Sequence, residues 1–149
     1  MKTLKLKLVT PERSVSEQDA LSVTLPIQGG EVTLLPDHEP YIGALHAGEI
    51  LVRRDESTDP ESVAISGGFV EFVGNTLTVL ADTAERAEEI DMQRAEEARA
   101  KAEQLKLEKG DMSAEEYAFV VAALEKEMTR IKVARKHHSR RGITLSNNE

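Results

Sequence analysis

An all-β domain followed by an antiparallel α-helical hairpin is the fold class that this sequence predicts. Three observations carry it. Apolar and polar residues alternate in short runs up to about residue 85. The composition then switches to Ala, Glu, Arg, Lys and Leu, all strong helix formers. A Gly-Asp turn followed by a capping motif divides that second stretch in two.

The first half reads in period two. Leu4, Leu6 and Leu8 alternate with Lys5 and Lys7, the pattern of a half-buried strand. Leu21, Val23, Leu25 and Ile27 repeat it, and Gly29-Gly30 ends the run with residues that accept positive φ. Residues 32–35 form a short strand closed by Pro36-Asp37-His38-Glu39-Pro40, a loop stiffened by a proline at each end. Residues 50–52 follow Gly48, and a polar stretch, 55–61, separates them from a strand at 63–65. Ser66-Gly67-Gly68 leads into 69–73, which Gly74-Asn75 turns into 76–80. Short strands punctuated by turns point to an antiparallel sandwich or barrel.

The second half reads in period 3.6. Ala95, Ala98, Ala102 and Leu105 make a modest apolar stripe, and Gly110-Asp111 stops the helix. Ser113-Ala114-Glu115-Glu116 has the capping-box form, in which the Ser oxygen and the Glu carboxylate satisfy each other's free amides. Tyr117, Val121, Leu124, Met128 and Ile131 follow at helical spacing. Two helices joined by so short a turn lie antiparallel.

Composition excludes several function classes. The chain has 149 residues, enough for one domain and an appendage, and 40% of them are hydrophobic against 31% charged, a globular balance. Cysteine is absent, which removes disulfides and thiolate metal sites. No long apolar run follows Met1-Lys2-Thr3-Leu4-Lys5, so a secretory leader is not expected, and no run reaches membrane-spanning length. The net charge of −8 is unevenly spread: residues 128–141 hold six bases and no acid. An acidic chain with a basic end suits one localised acidic partner better than nucleic acid. No aromatics interleave those bases, as single-strand binding would need.

Catalytic constellations are weak. Asp37-His38-Glu39 flanks an imidazole with two carboxylates, but neighbours on an extended loop point apart. His137-His138 face different ways on a helix, with no third ligand to complete a metal site. No phosphate-binding glycine loop is present. The reading is of a non-enzyme, with no catalytic and no metal residues.

Four segments in register nevertheless resemble a known family. Gly30-Glu31-Val32-Thr33-Leu34-Leu35-Pro36-Asp37-His38-Glu39-Pro40 is similar to the segment ending LPGHAP in the epsilon subunit of F-type ATP synthase. Ser66-Gly67-Gly68-Phe69-Val70-Glu71 and Val79-Leu80-Ala81-Asp82-Thr83-Ala84-Glu85 resemble its SGGF and VLAD signatures. Ile90-Asp91-Met92-Gln93-Arg94-Ala95 resembles the motif that opens its first C-terminal helix.

The resemblance implies an all-β sandwich over 1–85, a two-helix domain over 86–138 and a flexible tail over 139–149. It implies a central-stalk rotor subunit of a proton- or sodium-translocating ATP synthase, peripheral on the cytoplasmic face of the cell membrane and reaching that membrane only through the complex. The partners implied are the gamma subunit, the c ring and, through the C-terminal helices, the alpha/beta hexamer. Glu31, Pro36 and His38 match positions at the c-ring contact. Arg130, Lys132, Arg135 and Lys136 would form a basic face that meets an acidic loop of the hexamer and inhibits ATP hydrolysis. Regulatory ATP on the hairpin would use Glu85, Ile90, Asp91, Arg94, Ala95, Lys126 and Arg130. Lys126 and Lys101 stand where good binders have Arg, and Lys cannot fork onto phosphate, so weak or absent ATP binding and no obligatory cofactor are expected. The alternative is a free-standing β-sandwich ligand-binding module with a coiled-coil hairpin.

Overall fold

A computed structural model describes residues 1–146, which separate into two compact units meeting at the Arg86–Ala87 bond. The first unit is built from eight strands: β1 (Leu4–Val9), β2 (Ser14–Ala20), β3 (Ser22–Ile27), β4 (Gly30–Leu34), β5 (Tyr41–Arg53), β6 (Glu61–Val73), β7 (Thr76–Ala81) and β8 (Ala84–Arg86). They hydrogen-bond in the order β2-β1-β7-β6-β5-β3-β4, with β8 also on β6. Pairing is antiparallel except between β1 and β7, which run parallel.

One folded sheet makes the sandwich. The first half of β6 carries β8 and its second half carries β7, while β5 pairs with both halves. One layer is therefore β2-β1-β7-β6-β5 and the other β8-β6-β5-β3-β4, sharing the two long strands. Between them lies a single core of Leu4, Leu6, Leu8, Val23, Leu25, Leu34, Ile50, Val52, Phe72 and their neighbours. Each such side chain stabilises the fold by about 1.5–3 kcal/mol on burial. Val, Leu and Ile fill this space because aromatics make up only 3% of the chain.

The crease lies at Ser66-Gly67-Gly68. Gly67 and Gly68 have φ of +125° and +147°, a region that L side chains avoid. Across the crease the Asp82 amide donates to the Gly67 carbonyl at 2.9 Å, and the Thr83 hydroxyl donates to Ser66 Oγ at 2.7 Å. A Cβ on Gly68 would overlap the Leu80 carbonyl oxygen and sit 2.9 Å from Ala81 Cα. The glycine pair that the sequence reading treats as a lead into a strand is thus the interior of one 13-residue strand.

Other departures have local causes. β5 begins at Tyr41, well before the expected start at residue 50, because Gly43, Ala44, Ala47 and Gly48 dilute its apolar period. β2, which alternation does not reveal, is a polar edge strand with only Ala20 fully buried. Pro26 sits inside β3, where the β3–β5 register shifts, so its missing N–H breaks no regular ladder. Gly48 allows that approach: a Cβ there would lie 2.7 Å from the proline's own Cβ. In the β5–β6 loop, Asp55 accepts bonds from the Ser57 and Thr58 amides and hydroxyls. Those donors, the hydroxyls first, hold its carboxyl down at a pKa of about 2.

The second unit is a helical hairpin of α1 (Met92–Leu107) and α2 (Ala114–Ser146). The capping box is formed: the Glu116 amide donates to Ser113 Oγ at 3.1 Å, and the Ser113 amide donates to Glu116 Oε2 at 3.4 Å. Antiparallel pairing follows from the short connection and brings Glu96, early in α1, to Arg135, late in α2. Ala95 and Ala102 are buried as the stripe predicts, whereas Leu105 is 39% exposed. On α2 the buried face is Val120, Leu124, Glu127, Ile131 and Ala134, while Met128, expected inward, is 53% exposed. α2 runs through residue 139, where the flexible tail is expected to begin, to Ser146, and 147–149 lie outside the described residues. Among the described residues no helix is long and apolar enough to cross a membrane.

Replacing Gly68 with Ala is expected to cost at least about 3 kcal/mol, from backbone strain plus overlap. Thermal unfolding should show a Tm lower by about 10 °C or more. An unchanged Tm would mean that the crease tolerates a side chain.

Candidate functional site

Three surfaces collect the residues that chemistry singles out. The first is the edge formed by β4 and the loop after it. Glu31 is exposed opposite Pro26, beside the β3–β4 turn. Pro36 and His38 lie beyond the other end of the strand. The structure does not bring Glu31 and Pro36 together: five residue steps of nearly continuous strand part them by about 16 Å.

The 35–40 loop is built as a turn with Pro36 and Asp37 at its centre. Proline fixes the first central φ, Asp37 takes a φ of +62°, and the His38 amide donates to the Leu35 carbonyl at 3.2 Å, the type II arrangement. The Asp37 amide donates to Asn75 Oδ1 at 2.9 Å, and the Asp37 carboxylate pairs with the Lys2 ammonium. His38 Nδ1 lies 2.7 Å from the Glu39 carbonyl oxygen, which only accepts, so Nδ1 carries the proton. The ring meets Phe72 and Tyr41 edge-on, at centroid distances of 6.0 and 6.4 Å. A backbone carbonyl rather than a carboxylate orients this imidazole, so Asp37 and Glu39 form no acid–base relay with it.

The second surface is the outer face of the β2-β1-β7-β6-β5 layer. Cross-strand register puts Ala44, Phe69, Leu80 and Val9 in one row across four strands. Phe69 is 63% and Leu80 52% exposed, and Ile42, in the adjoining row, is 78% exposed. That adjoining row continues through Glu71, Thr78, Lys7 and Glu17, which supply a charged rim. The Glu17 carboxyl is held below the usual carboxylate range by a hydrogen bond from the Lys5 ammonium, 2.8 Å away, and by the charges of Lys5 and Lys7. An apolar row with a polar rim has the make-up of a protein-docking patch.

The third surface is the hairpin. Asp91 is the N-cap of α1: its Oδ1 accepts from the Arg94 amide at 3.1 Å. Ile90 and Ala95 are buried, Arg94 is exposed, and Lys126 and Arg130 lie along α2. Glu85, grouped with them by the sequence reading, belongs to β8 of the first unit. Clefts indent the hairpin among the described residues. One of about 230 Å³ is lined by Arg99, Met128, Ile131, Lys132 and Arg135, and another, about 590 Å³, by Glu103, Lys106, Leu107, Tyr117 and Leu124. Neither is lined by Arg94, Lys126 or Arg130.

The basic face of α2 is partly neutralised. Arg130 donates to the buried Glu127 carboxylate at 2.7 Å, and Arg135 reaches Glu96 across the hairpin at 3.4 Å. Lys132 and Lys136 are exposed, and Arg141 lies outside the described side chains. The His137 and His138 rings stand 6.2 Å apart at 70°, and among the described residues no group of three His, Cys, Asp or Glu could hold a metal.

Sequence reasoning missed the outer apolar row, Asn75 and the inward Glu127. The row had a signal. Phe69 shares the solvent parity of Glu71, whereas Val70 and Phe72 share the core parity. Asn75 was legible only as a turn residue, since its partners lie far off in sequence.

Residues 3–87 match the family model of the ATP synthase delta/epsilon chain β-sandwich domain. The ATP synthase epsilon chain of Herpetosiphon aurantiacus is 41% identical over 137 residues, 92% of this chain and 98% of that one. That of Dehalococcoides mccartyi is 43% identical over 139 residues, 91% and 95% of the two chains. Among solved structures, a chain of Euglena gracilis mitochondrial ATP synthase superposes with a TM-score of 0.72 at 21% identity, covering 87% of this chain and 79% of its own. One from the central stalk and c-ring of Tetrahymena thermophila mitochondrial ATP synthase gives 0.57 at 14% identity, covering 92% and 98%. At such identities the structural likeness speaks to the fold alone.

Proposed function

The chain belongs to the ATP synthase epsilon-chain family, and from that premise we propose that it is a non-catalytic rotor subunit. In this reading the sandwich couples the gamma subunit to the c ring, and the hairpin restrains ATP hydrolysis. The observation that carries it is the outer row of Ala44, Phe69, Leu80 and Val9 with Ile42 beside it. Exposed apolar side chains on this scale weaken solubility unless a partner covers them, and gamma is the occupant that a stalk subunit requires. Torque must then leave by a surface that does not reorder under load. The β4 edge with Glu31, Pro36 and His38 suits this, because the proline turn and its tertiary hydrogen bonds leave it few alternative conformations. Attachment to the membrane is peripheral and runs through the c ring.

The hairpin's role rests on exchangeable charge. Arg130, Lys132, Arg135 and Lys136 face an acidic loop of the catalytic hexamer when the arm is extended. The ion pair of Arg135 with Glu96 is exposed and worth at most about 1 kcal/mol, so an acidic partner displaces it at little cost. ATP is held weakly or not at all. Asp91 is engaged as a helix cap, and Lys126 offers a point charge where a guanidinium would fork onto phosphate.

Three outcomes follow. Phe69→Glu should abolish co-purification of gamma, a loss of at least about thirtyfold in affinity for a central anchor. Its thermal unfolding should stay unchanged because the ring is already in solvent, and full gamma recovery would remove the docking face. Truncation after Gly110 should raise ATP hydrolysis by the assembled complex; hydrolysis at the intact level sinks the restraining role. Calorimetry of the full chain with ATP should show no micromolar binding, and a micromolar isotherm would overturn that expectation.

A further inference from the structure

The Asn75 side chain ties the backbone of the loop after β4 to the opposite layer, beside the surface ion pair of Lys2 with Asp37. It occupies the β6–β7 turn with Gly74, at φ of +59° and +57°, the type I′ pair that favours Gly and Asn. Its carboxamide leaves the turn in two directions. Oδ1 accepts the Asp37 amide at 2.9 Å, and Nδ2 donates to the Thr3 carbonyl at 2.8 Å. Its own carbonyl accepts the Lys5 amide at 3.0 Å. Three segments therefore converge on one residue: the lead into β1, the β6–β7 turn and the 35–38 turn.

The topology explains why such a clasp is needed. The loop over 35–40 starts at Leu34, beside β3, and ends at Tyr41, which pairs with Phe72. It crosses from one layer to the other at the end opposite the glycine crease, where no strand spans the gap. The prolines stiffen the loop internally but bind it to nothing. Asp37 sits at positive φ, and its amide points to Asn75 from the middle of the turn that carries Pro36 and His38.

We propose that Asn75 is the positioning residue of the c-ring contact, holding the Pro36–His38 turn in its docking geometry from the opposite layer. The proposal rests on the c-ring reading of that loop, and the two can fail separately. Asn75→Gly keeps the left-handed backbone and deletes both side-chain bonds, so it separates the clasp from the turn. Asn75→Asp restores the acceptor for the Asp37 amide and omits the donor to Thr3.

Amide hydrogen exchange on the full chain reads the clasp directly. Asn75→Gly should speed exchange at Asp37 by about tenfold, as loss of one net hydrogen bond implies, and Asn75→Asp should return it toward the native rate. Amides in β5 and β6 should be unchanged in both. Exchange at Asp37 that ignores Asn75→Gly overturns the clasp. In the assembled complex, Asn75→Gly should lower ion transport per ATP hydrolysed while gamma still co-purifies. Loosened Asp37 exchange with native coupling would instead overturn the c-ring reading of the loop.

Discussion

The arrangement of the first unit depends on a fold line in one sheet. Two 13-residue strands, β5 and β6, run through both layers, and the chain has to bend there without breaking its ladder. Gly67 and Gly68 meet that constraint with φ values that only glycine holds at low cost. At Gly68 the Leu80 carbonyl approaches so closely that no Cβ fits. Given this crease, core residues far apart along the same strands, such as Ile50 and Phe72, enter one hydrophobic cluster. The parallel pairing of β1 with β7 adds the first strand, and β2 beyond it, to the layer that β7 begins.

What the crease opens at one end, the loop after β4 closes at the other. The proline turn, the Asn75 carboxamide and the packing of His38 on Phe72 and Tyr41 act at the same place. A surface loop is ordinarily among the more mobile parts of a domain. This one is anchored to two other segments of chain, which leaves it few local alternatives. The outer apolar row lies on the layer to which it is anchored, so both candidate contact surfaces are referred to one rigid sheet.

The hairpin is built by a different logic. The buried positions of α1 are alanines, which bury little area each, and one buried position of α2 is Glu127, satisfied by Arg130. Caps at Asp91 and Ser113 fix where the helices start. Helices that are locally well specified and thinly packed keep their own structure while exchanging partners. Two cations of the basic face, Arg135 and Arg130, are paired within the hairpin, with Glu96 and Glu127.

Local chemistry was legible in the sequence. Alternation gave away β1 and β3, the Gly74-Asn75 turn marked β7, the capping box marked the start of α2, and the helix formers marked the second unit, because each signal is carried by residues within a few positions of one another. The motif resemblance and the family match then converge on the same chain. Tertiary structure alone decided the rest. Whether Gly67-Gly68 is a gap between strands or a bend within one depends on what lies across from it, at Ala81, 13 residues from Gly68, and Asp82, 15 from Gly67. That Asn75 reaches Asp37 and Thr3 is a matter of non-local approach, at sequence separations of 38 in one case and 72 in the other. Met128, expected inward, lies outside while Glu127 is buried, because helical period specifies which residues share a face, while the neighbouring helix selects which face is covered.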